Sequence, residues 1–166
     1  MILVIILSCK TTKQHQSNEL LEIDKDINLY AFIGKKISMD EFEVKNKIVY
    51  RVDSITKDTI KQISIAMDRG FNATYQVIKP VFNDLKVDTI QFKVYNHYGR
   101  PYFEKQKYVL LYISKDNDNF YLQKYQYDAV KKKKGTWAGK NGQSLQELFN
   151  AKKEGVFKAR KLFSKK

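Results

Sequence analysis

The stretch from Asp88 to Ser114 constrains the fold more than any other part of this 166-residue chain. Its second half contains the run Tyr108 to Ile113, Y-V-L-L-Y-I, which is apolar on both faces of an extended strand. Such a run predicts a central strand that is covered on both sides. In its first half Ile90, Phe92 and Val94 alternate with polar residues and point one way. We therefore expect this stretch to form the core hairpin of a small β domain.

Further strands are predicted along the chain, and aromatic residues, 13% of the composition, favour them over helices. The segment Thr56 to Arg69 is ambiguous, because Ile60, Ile63 and Met67 are at helical spacing. Lys131 to Gly142 is interpreted as a basic loop. A capping box from Ser144 to Glu147 predicts a helix after it. The tail from Val156 is either a last strand or a basic end. The predicted strands are Leu29 to Met39, Ile48 to Ile55, Phe71 to Phe82, Tyr108 to Ile113 and Phe120 to Val130.

Six or seven short strands with one or two short helices predict a mainly β fold, a small OB-like or closed β-barrel. We expect residues 28 to 166 to form this single domain, with a basic C-terminal helix and tail, since the length suits one ordinary core. Residues 10 to 27 are polar and are predicted to be a tether.

The first nine residues have the pattern of a processing signal. Six apolar residues, Ile2 to Leu7, precede Ser8 and Cys9, and a polar stretch begins at Lys10. The run is far shorter than the roughly 20 residues that span a bilayer. It is also shorter than a usual signal, which a start further upstream would explain. The alternative is a buried N-terminal strand that carries a free core cysteine.

The junction Ile6-Leu7-Ser8-Cys9 resembles the lipobox of bacterial lipoproteins, in particular those of the Bacteroidetes group. The resemblance implies that residues 1 to 9 hold a lipoprotein signal, that cleavage makes Cys9 the mature N-terminus, and that Cys9 carries the lipid. It then implies a protein of the bacterial cell envelope that is bound to a membrane through Cys9. Lys10 to Gln14 contains no acidic residue, which by the same resemblance implies an anchor that faces the periplasm.

A second resemblance concerns the barrel itself. The segments Phe32 to Ser38 (F-I-G-K-K-I-S), Tyr75 to Phe82 (Y-Q-V-I-K-P-V-F) and Tyr108 to Tyr112 (Y-V-L-L-Y) follow the order of motifs in netrin and tissue-inhibitor-like domains. This resemblance covers about residues 28 to 125 and implies an OB-fold barrel. The cysteines that form disulfides in that family are missing from this chain.

The net charge of +13 is concentrated in the C-terminal quarter, where residues 124 to 166 hold 13 Lys and Arg against 3 Asp and Glu. One interpretation is a solvated face that only aids solubility. The other is a polyanion site, because basic grooves with aromatic platforms on OB barrels bind single strands. If the chain is exported, nucleic acid is an unlikely partner, and anionic lipid, lipopolysaccharide or peptidoglycan takes its place. The candidate polyanion-binding residues are Lys131, Lys132, Lys133, Lys134, Trp137 and Lys140.

The turn in the centre of Asp88 to Ser114 holds a second candidate site, made of His97, Tyr98, Arg100 and Tyr102. Their side chains suit an anion-binding or sugar-stacking rim. The alternative is a structural turn in which His97 bonds to the backbone and the tyrosines pack.

Catalytic chemistry has little support in the sequence. One cysteine and two histidines leave too few groups for a zinc site or a disulfide framework. No nucleophile elbow, phosphate loop or calcium loop occurs, so we expect no cofactor, no metal and no enzyme activity. The leading hypothesis is a lipid-anchored envelope protein that binds or inhibits an envelope polymer or a protein partner. The alternatives are a soluble OB-fold nucleic-acid binder, or a hydrolase or immunity-type protein centred on His97.

Overall fold

A computed structural model of the protein describes residues 22–163, so Cys9 and the lipobox lie outside the described residues. The chain forms a 3-10 turn at Tyr102–Lys105 and a π-helical turn at Lys153–Phe157. The described part of the chain contains eight strands and one α-helix: β1 Tyr30–Phe42, β2 Lys47–Val52, β3 Thr59–Ser64, β4 Arg69–Phe82, β5 Thr89–Asn96, β6 Val109–Asp116, β7 Asn119–Lys133, β8 Thr136–Gly139 and α1 Leu145–Lys152.

Five of these strands curl into a barrel. They are hydrogen-bonded in the order β5-β4-β1-β6-β7, and a parallel pair between Lys93 of β5 and Tyr121 of β7 brings the two ends together. All other pairs in the barrel are antiparallel. This is the connectivity of a partly open, five-stranded OB-like barrel. The predicted mainly β, OB-like fold is confirmed, and β8 extends the sheet beyond β7.

The predicted hairpin over Asp88 to Ser114 is wrong. β5 pairs with β4 and β7, whereas β6 lies between β1 and β7, so the two runs are separate strands of the barrel. The connection, residues 97–108, crosses one end of the barrel. Alternation of apolar residues shows which face of a strand is buried, but it does not identify the neighbouring strand.

The central strand was predicted correctly, and its two faces bury different cores. Leu111 and Ile113 of β6 point into the barrel, where they join a buried cluster that includes Phe92. Leu110 and Tyr112 point the other way and pack in a second cluster beneath α1. Tyr108 to Ile113 is therefore apolar on both faces because each face covers a different layer.

The last part of the predicted tether packs against the barrel. Glu22 pairs with Phe82, and Ile27 is buried. The buried Asn83 holds this segment, because its amide accepts from the Asp24 N–H and donates to the carbonyls of Asp24, Ile27 and Leu29. The chain thus joins the barrel at the end where β4 turns into β5.

Four local predictions can be compared with the structure. The capping box is confirmed, since Ser144 Oγ accepts from the Glu147 N–H and the Glu147 carboxylate accepts from the Ser144 N–H. Thr56 to Arg69 contains strand β3 and no helix. Lys131 to Gly142 is a hairpin, because Lys131–Lys133 end β7 and β8 follows. The tail continues helically from α1 and buries Phe157, so it forms no last strand among the described residues.

Candidate functional site

The barrel opens into a cleft where β5 and β7 separate beyond their single pair, Lys93–Tyr121. The cleft has a volume of about 360 Å³, within the usual range for small-molecule sites. We call it the tyrosine cleft. Its lining comes from the end of β5, the connection that follows and the middle of β7: Val94, Tyr95, Asn96, Tyr98, Arg100, Pro101, Tyr102, Phe103, Leu122, Tyr125 and Tyr127.

A bulge in β7 keeps the cleft open. Leu111 of β6 pairs with Tyr127, and Ile113 pairs with Leu122, so β7 uses five residues where β6 uses two. The extra residues interrupt the regular register between the two strands. At their centre Tyr125 has φ of 65°, a left-handed conformation that is costly for a bulky residue. Bulges and strained backbone of this kind concentrate at binding and catalytic sites.

Side chains from the C-terminal helical segment hold the bulge in place. Arg160 donates to the Gln123 side chain and to the Lys124 carbonyl, each at 3.0 Å. Lys152 donates to the Gln126 amide oxygen at 3.2 Å. The bulge is thus a fixed part of the fold, bonded to a separate element of the chain.

The cleft has an apolar floor and an aromatic rim. Val94 and Phe103 are buried beneath it, and Phe103 packs against Tyr127 with ring centroids 5.2 Å apart. The rim tyrosines are exposed: Tyr98 by 84%, Tyr102 by 65% and Tyr125 by 43%. The ring centroids of Tyr98 and Tyr125 lie 6.3 Å apart, with the two ring planes inclined by 36°. Rings with free edges and polar tips suit a ligand that has both apolar faces and hydroxyl groups.

Two positive groups at the rim are already paired with carboxylates. Arg100 forms an ion pair with Glu104 at 2.9 Å and also donates to the Met39 carbonyl. Lys124 lies 2.5 Å from Asp68, and this hydrogen bond raises the pKa of the lysine. Arg100 and Lys124 therefore present little unbalanced charge to a ligand, and Lys105 Nζ lies over the ring of Tyr102, 5.3 Å from its centroid.

The structure brings three of the four predicted rim residues, Tyr98, Arg100 and Tyr102, to the tyrosine cleft. His97 is the exception, since it does not line the cleft. Its Nδ1 lies 3.6 Å from Asp68 Oδ1, and its ring packs edge-on against Tyr98. His97 therefore contacts an acid and an aromatic ring. The tyrosine cleft does not support the alternative of a hydrolase centred on His97, because His97 is not part of its lining.

Sequence reasoning missed the half of the cleft that β7 supplies, namely Leu122, Tyr125 and Tyr127. The two halves are far apart in the chain, and the parallel pairing of β5 with β7 brings them together. Several tyrosines spaced along a single predicted strand were the available signal.

The predicted polyanion residues lie elsewhere, on the hairpin of β7 and β8. Lys132 Nζ lies 5.8 Å from the centroid of the Trp137 ring, and Trp137 packs edge-on against Tyr108 at 5.0 Å. Lys107 lies over the other ring of this pair. Lys131 to Lys134 and Lys140 are all exposed. This is a second, cationic surface, separate from the tyrosine cleft.

Within residues 22–163, no group of three or more His, Cys, Asp or Glu side chains is placed to hold a metal ion. In that same part of the chain, none of the helices combines the length and the apolar character needed to cross a bilayer. Comparison with protein families, with curated proteins and with solved structures finds no match for this chain. The structure is an OB-like barrel with a cleft that is lined by tyrosines and is large enough for a small ligand.

Proposed function

We propose that this protein is a lipid-anchored binding module of the bacterial cell envelope, and that it binds a glycan chain in the tyrosine cleft without catalysis. The observation that carries the proposal is the strained bulge at Tyr125. Maintaining a bulky residue in a left-handed conformation costs about 1–2 kcal/mol, and strain of this kind clusters at binding and catalytic sites.

A glycan fits the chemistry of the cleft better than a small anion does. Flat tyrosine rings offer large contact areas at a low cost in conformational entropy, and phenol groups add hydrogen bonds. A small anion needs unpaired cations, whereas Arg100 and Lys124 are engaged by Glu104 and Asp68. Envelope glycans such as peptidoglycan strands supply sugar faces and hydroxyl groups together.

The anchor supports the same location. The lipobox-like junction at Cys9 implies a lipid that fixes the protein to a membrane, where several acyl chains bind essentially permanently. Labelling of cells with radioactive palmitate tests this part. Incorporation that is lost in Cys9→Ser supports the anchor, and no incorporation from a correctly started gene contradicts it.

Saturation-transfer NMR with soluble muropeptides tests the glycan site. We expect transfer to sugar protons for the wild-type chain and its loss in Tyr98→Ala. Tyr50→Ala is the control, because Tyr50 is also a largely exposed tyrosine, at 65%, but lies on a different part of the surface. Equal transfer in the Tyr98 and Tyr50 variants would remove the tyrosine cleft from the proposal.

A second candidate function is polyanion binding by the β7–β8 hairpin. The lysines stacked on Trp137 and Tyr108 favour it, because cation and aromatic groups together bind single-stranded nucleic acids. A single-stranded oligonucleotide should then bind with an affinity that falls steeply with salt. Binding that is absent, or insensitive to salt, would exclude this candidate.

A further inference from the structure

The hairpin of β2 and β3 extends from the barrel between the end of β1 and the start of β4. Its strands form six cross-strand pairs, from Lys47–Ser64 to Val52–Thr59, and they pair only with each other in the part of the chain that the structure describes. We call residues 45–67 the projecting hairpin. Isolated two-stranded ribbons are only marginally stable in water.

Local hydrogen bonds give the projecting hairpin its shape. Asp53 Oδ1 accepts from the N–H groups of Ile55 and Thr56, each at 2.8 Å, and closes the turn. These backbone donors also lower the pKa of the Asp53 carboxyl. At the base, Asn46 Oδ1 accepts from the Ala66 N–H at 2.8 Å. The ribbon is therefore organised without a core of its own.

Apolar side chains lie on both faces of this ribbon. Ile48 and Ile63 are directly opposite each other on one face and are each about half exposed, and Tyr50 and Val52 continue that face. On the other face Ile60 is 50% exposed. Contiguous exposed apolar surface of this kind marks interaction sites. Both outer edges of the ribbon also have unpaired backbone groups that accept a further strand.

Charge indicates what kind of partner covers this surface. Residues 45–67 carry five cations against two acids, Asp53 and Asp58. A second copy would bring the same positive hairpin on a chain of net charge +13, so self-association is opposed. A partner with carboxylates beside an apolar strand complements the surface.

Three features argue against a lipid bilayer as the partner. Peripheral membrane segments separate an apolar face from a charged face. Here Lys61 lies beside Ile63 and Arg51 beside Ile60, so each face mixes apolar and charged groups. The end of the ribbon also contains Asp53, whose lowered pKa keeps it ionised. In addition, the described chain joins the barrel at the opposite end, near Phe82.

We propose that the projecting hairpin is a docking site for an acidic protein, which adds a β-strand to its edge and covers the apolar face around Ile48 and Ile63. Backbone hydrogen bonds along the edge provide affinity, and alternate side chains of the added strand provide specificity. This site is independent of the tyrosine cleft and of the glycan that we propose there.

A displayed library of random twelve-residue peptides tests the proposal. The library is selected on the wild-type protein and depleted on Ile48→Ser/Ile63→Ser. We expect enriched peptides that alternate apolar and acidic residues. A synthetic peptide from that set should bind at least tenfold more weakly to Lys47→Glu/Lys61→Glu, and more weakly as salt rises. Lys86→Glu and Val87→Ser, which change a cation and an exposed apolar residue outside the hairpin, should not alter its affinity.

The folding of the variants is controlled within the same experiment. Because β2 and β3 pair only with each other, the hairpin variants should retain the thermal unfolding midpoint of the barrel. The proposal would be contradicted if the selected peptides did not alternate apolar and acidic residues. It would also be contradicted if the hairpin variants bound the peptide as tightly as the wild-type protein does. Binding to phosphatidylglycerol vesicles that requires Ile48 and Ile63 would replace the protein partner with a membrane. Reversible dimers in sedimentation velocity that the same variant abolishes would replace it with a second copy.

Discussion

The strained backbone at Tyr125 leads to a stability prediction that reverses a common rule. In a regular strand, glycine is less stable than alanine by about 0.5–1 kcal/mol, because it loses more backbone entropy on folding. At φ of 65° alanine instead incurs the left-handed cost of about 1–2 kcal/mol, whereas glycine does not. Because glycine keeps its entropy cost, we expect Tyr125→Gly to be more stable than Tyr125→Ala by up to about 1.5 kcal/mol.

Comparing the two variants with each other isolates the backbone, since nearly the same side chain is lost in both. Urea unfolding followed by the fluorescence of Trp137 measures the difference. With a urea dependence of about 1–3 kcal/mol per molar, a difference of 1 kcal/mol moves the midpoint by about 0.3–1 M. Gln91, an exposed residue of regular β5 paired with Thr74, provides the matched control.

At Gln91 the normal order should hold, with the alanine variant more stable than the glycine variant. If alanine is also the more stable residue at position 125, the bulge stores no strain and the reasoning from Tyr125 to a functional cleft fails. Both Tyr125 variants should bind the glycan more weakly, whichever of them is more stable.

Three further predictions concern the framework that supports the cleft. Asn83→Ala should lower the free energy of unfolding by about 2–4 kcal/mol in urea titrations, because buried carbonyls lose their donor and alanine enters a left-handed position. A loss below 1 kcal/mol would contradict this. Ser144→Ala should cost about 0.5–2 kcal/mol through loss of the cap, measured in the same way, and an unchanged midpoint would contradict it. Burial raises the pKa of Tyr75 and of Tyr112 above the unfolded value of 10.0, so the stability that these tyrosines contribute is present below pH 10 and is lost as the pH rises. Absorbance at 295 nm should show both ionising only on unfolding, and ionisation together with the exposed tyrosines would contradict the expectation.

The fold class follows from the sequence because barrel strands leave a local pattern. Tyr108 to Ile113 is apolar on both faces, and Ser144 and Glu147 have the spacing of a capping box, so each identifies its own structure. Pairing partners leave no such local trace. The connection 97–108 resembles a hairpin turn, although β5 and β6 never pair.

Two segments had patterns that fit more than one structure. Ile60, Ile63 and Met67 occur at helical spacing, but all residues of β3 are exposed. Because neither face of β3 packs on a core, its apolar residues do not have to alternate as they do in a half-buried strand. In Lys131 to Gly142, Lys134 and Gly135 both have positive φ and form the tight turn of a hairpin. Gly135, which follows the run of lysines, was therefore a signal for a hairpin turn inside a segment that we interpreted as a loop.

The candidate site could be predicted only where it is continuous in sequence. Tyr98, Arg100 and Tyr102 belong to one turn, and their types indicated a binding rim. Tyr125 and Tyr127 reach the same cleft through the bulge of β7, which depends on pairing with β6 and on Arg160 from the C-terminal segment. No pattern within β7 alone shows that it bulges or what it faces.

Titration calorimetry with a muropeptide at two salt concentrations tests the central claim most directly. A glycan held by the rings of the tyrosine cleft should bind with nearly the same dissociation constant at 50 mM and at about 200 mM salt, because Arg100 and Lys124 are already paired. Tyr98→Ala should weaken binding by about tenfold, or about 1.4 kcal/mol, and Lys132→Glu should leave it unchanged. Affinity that falls steeply with salt and is lost in Lys132→Glu would place the ligand on the β7–β8 hairpin and contradict the account.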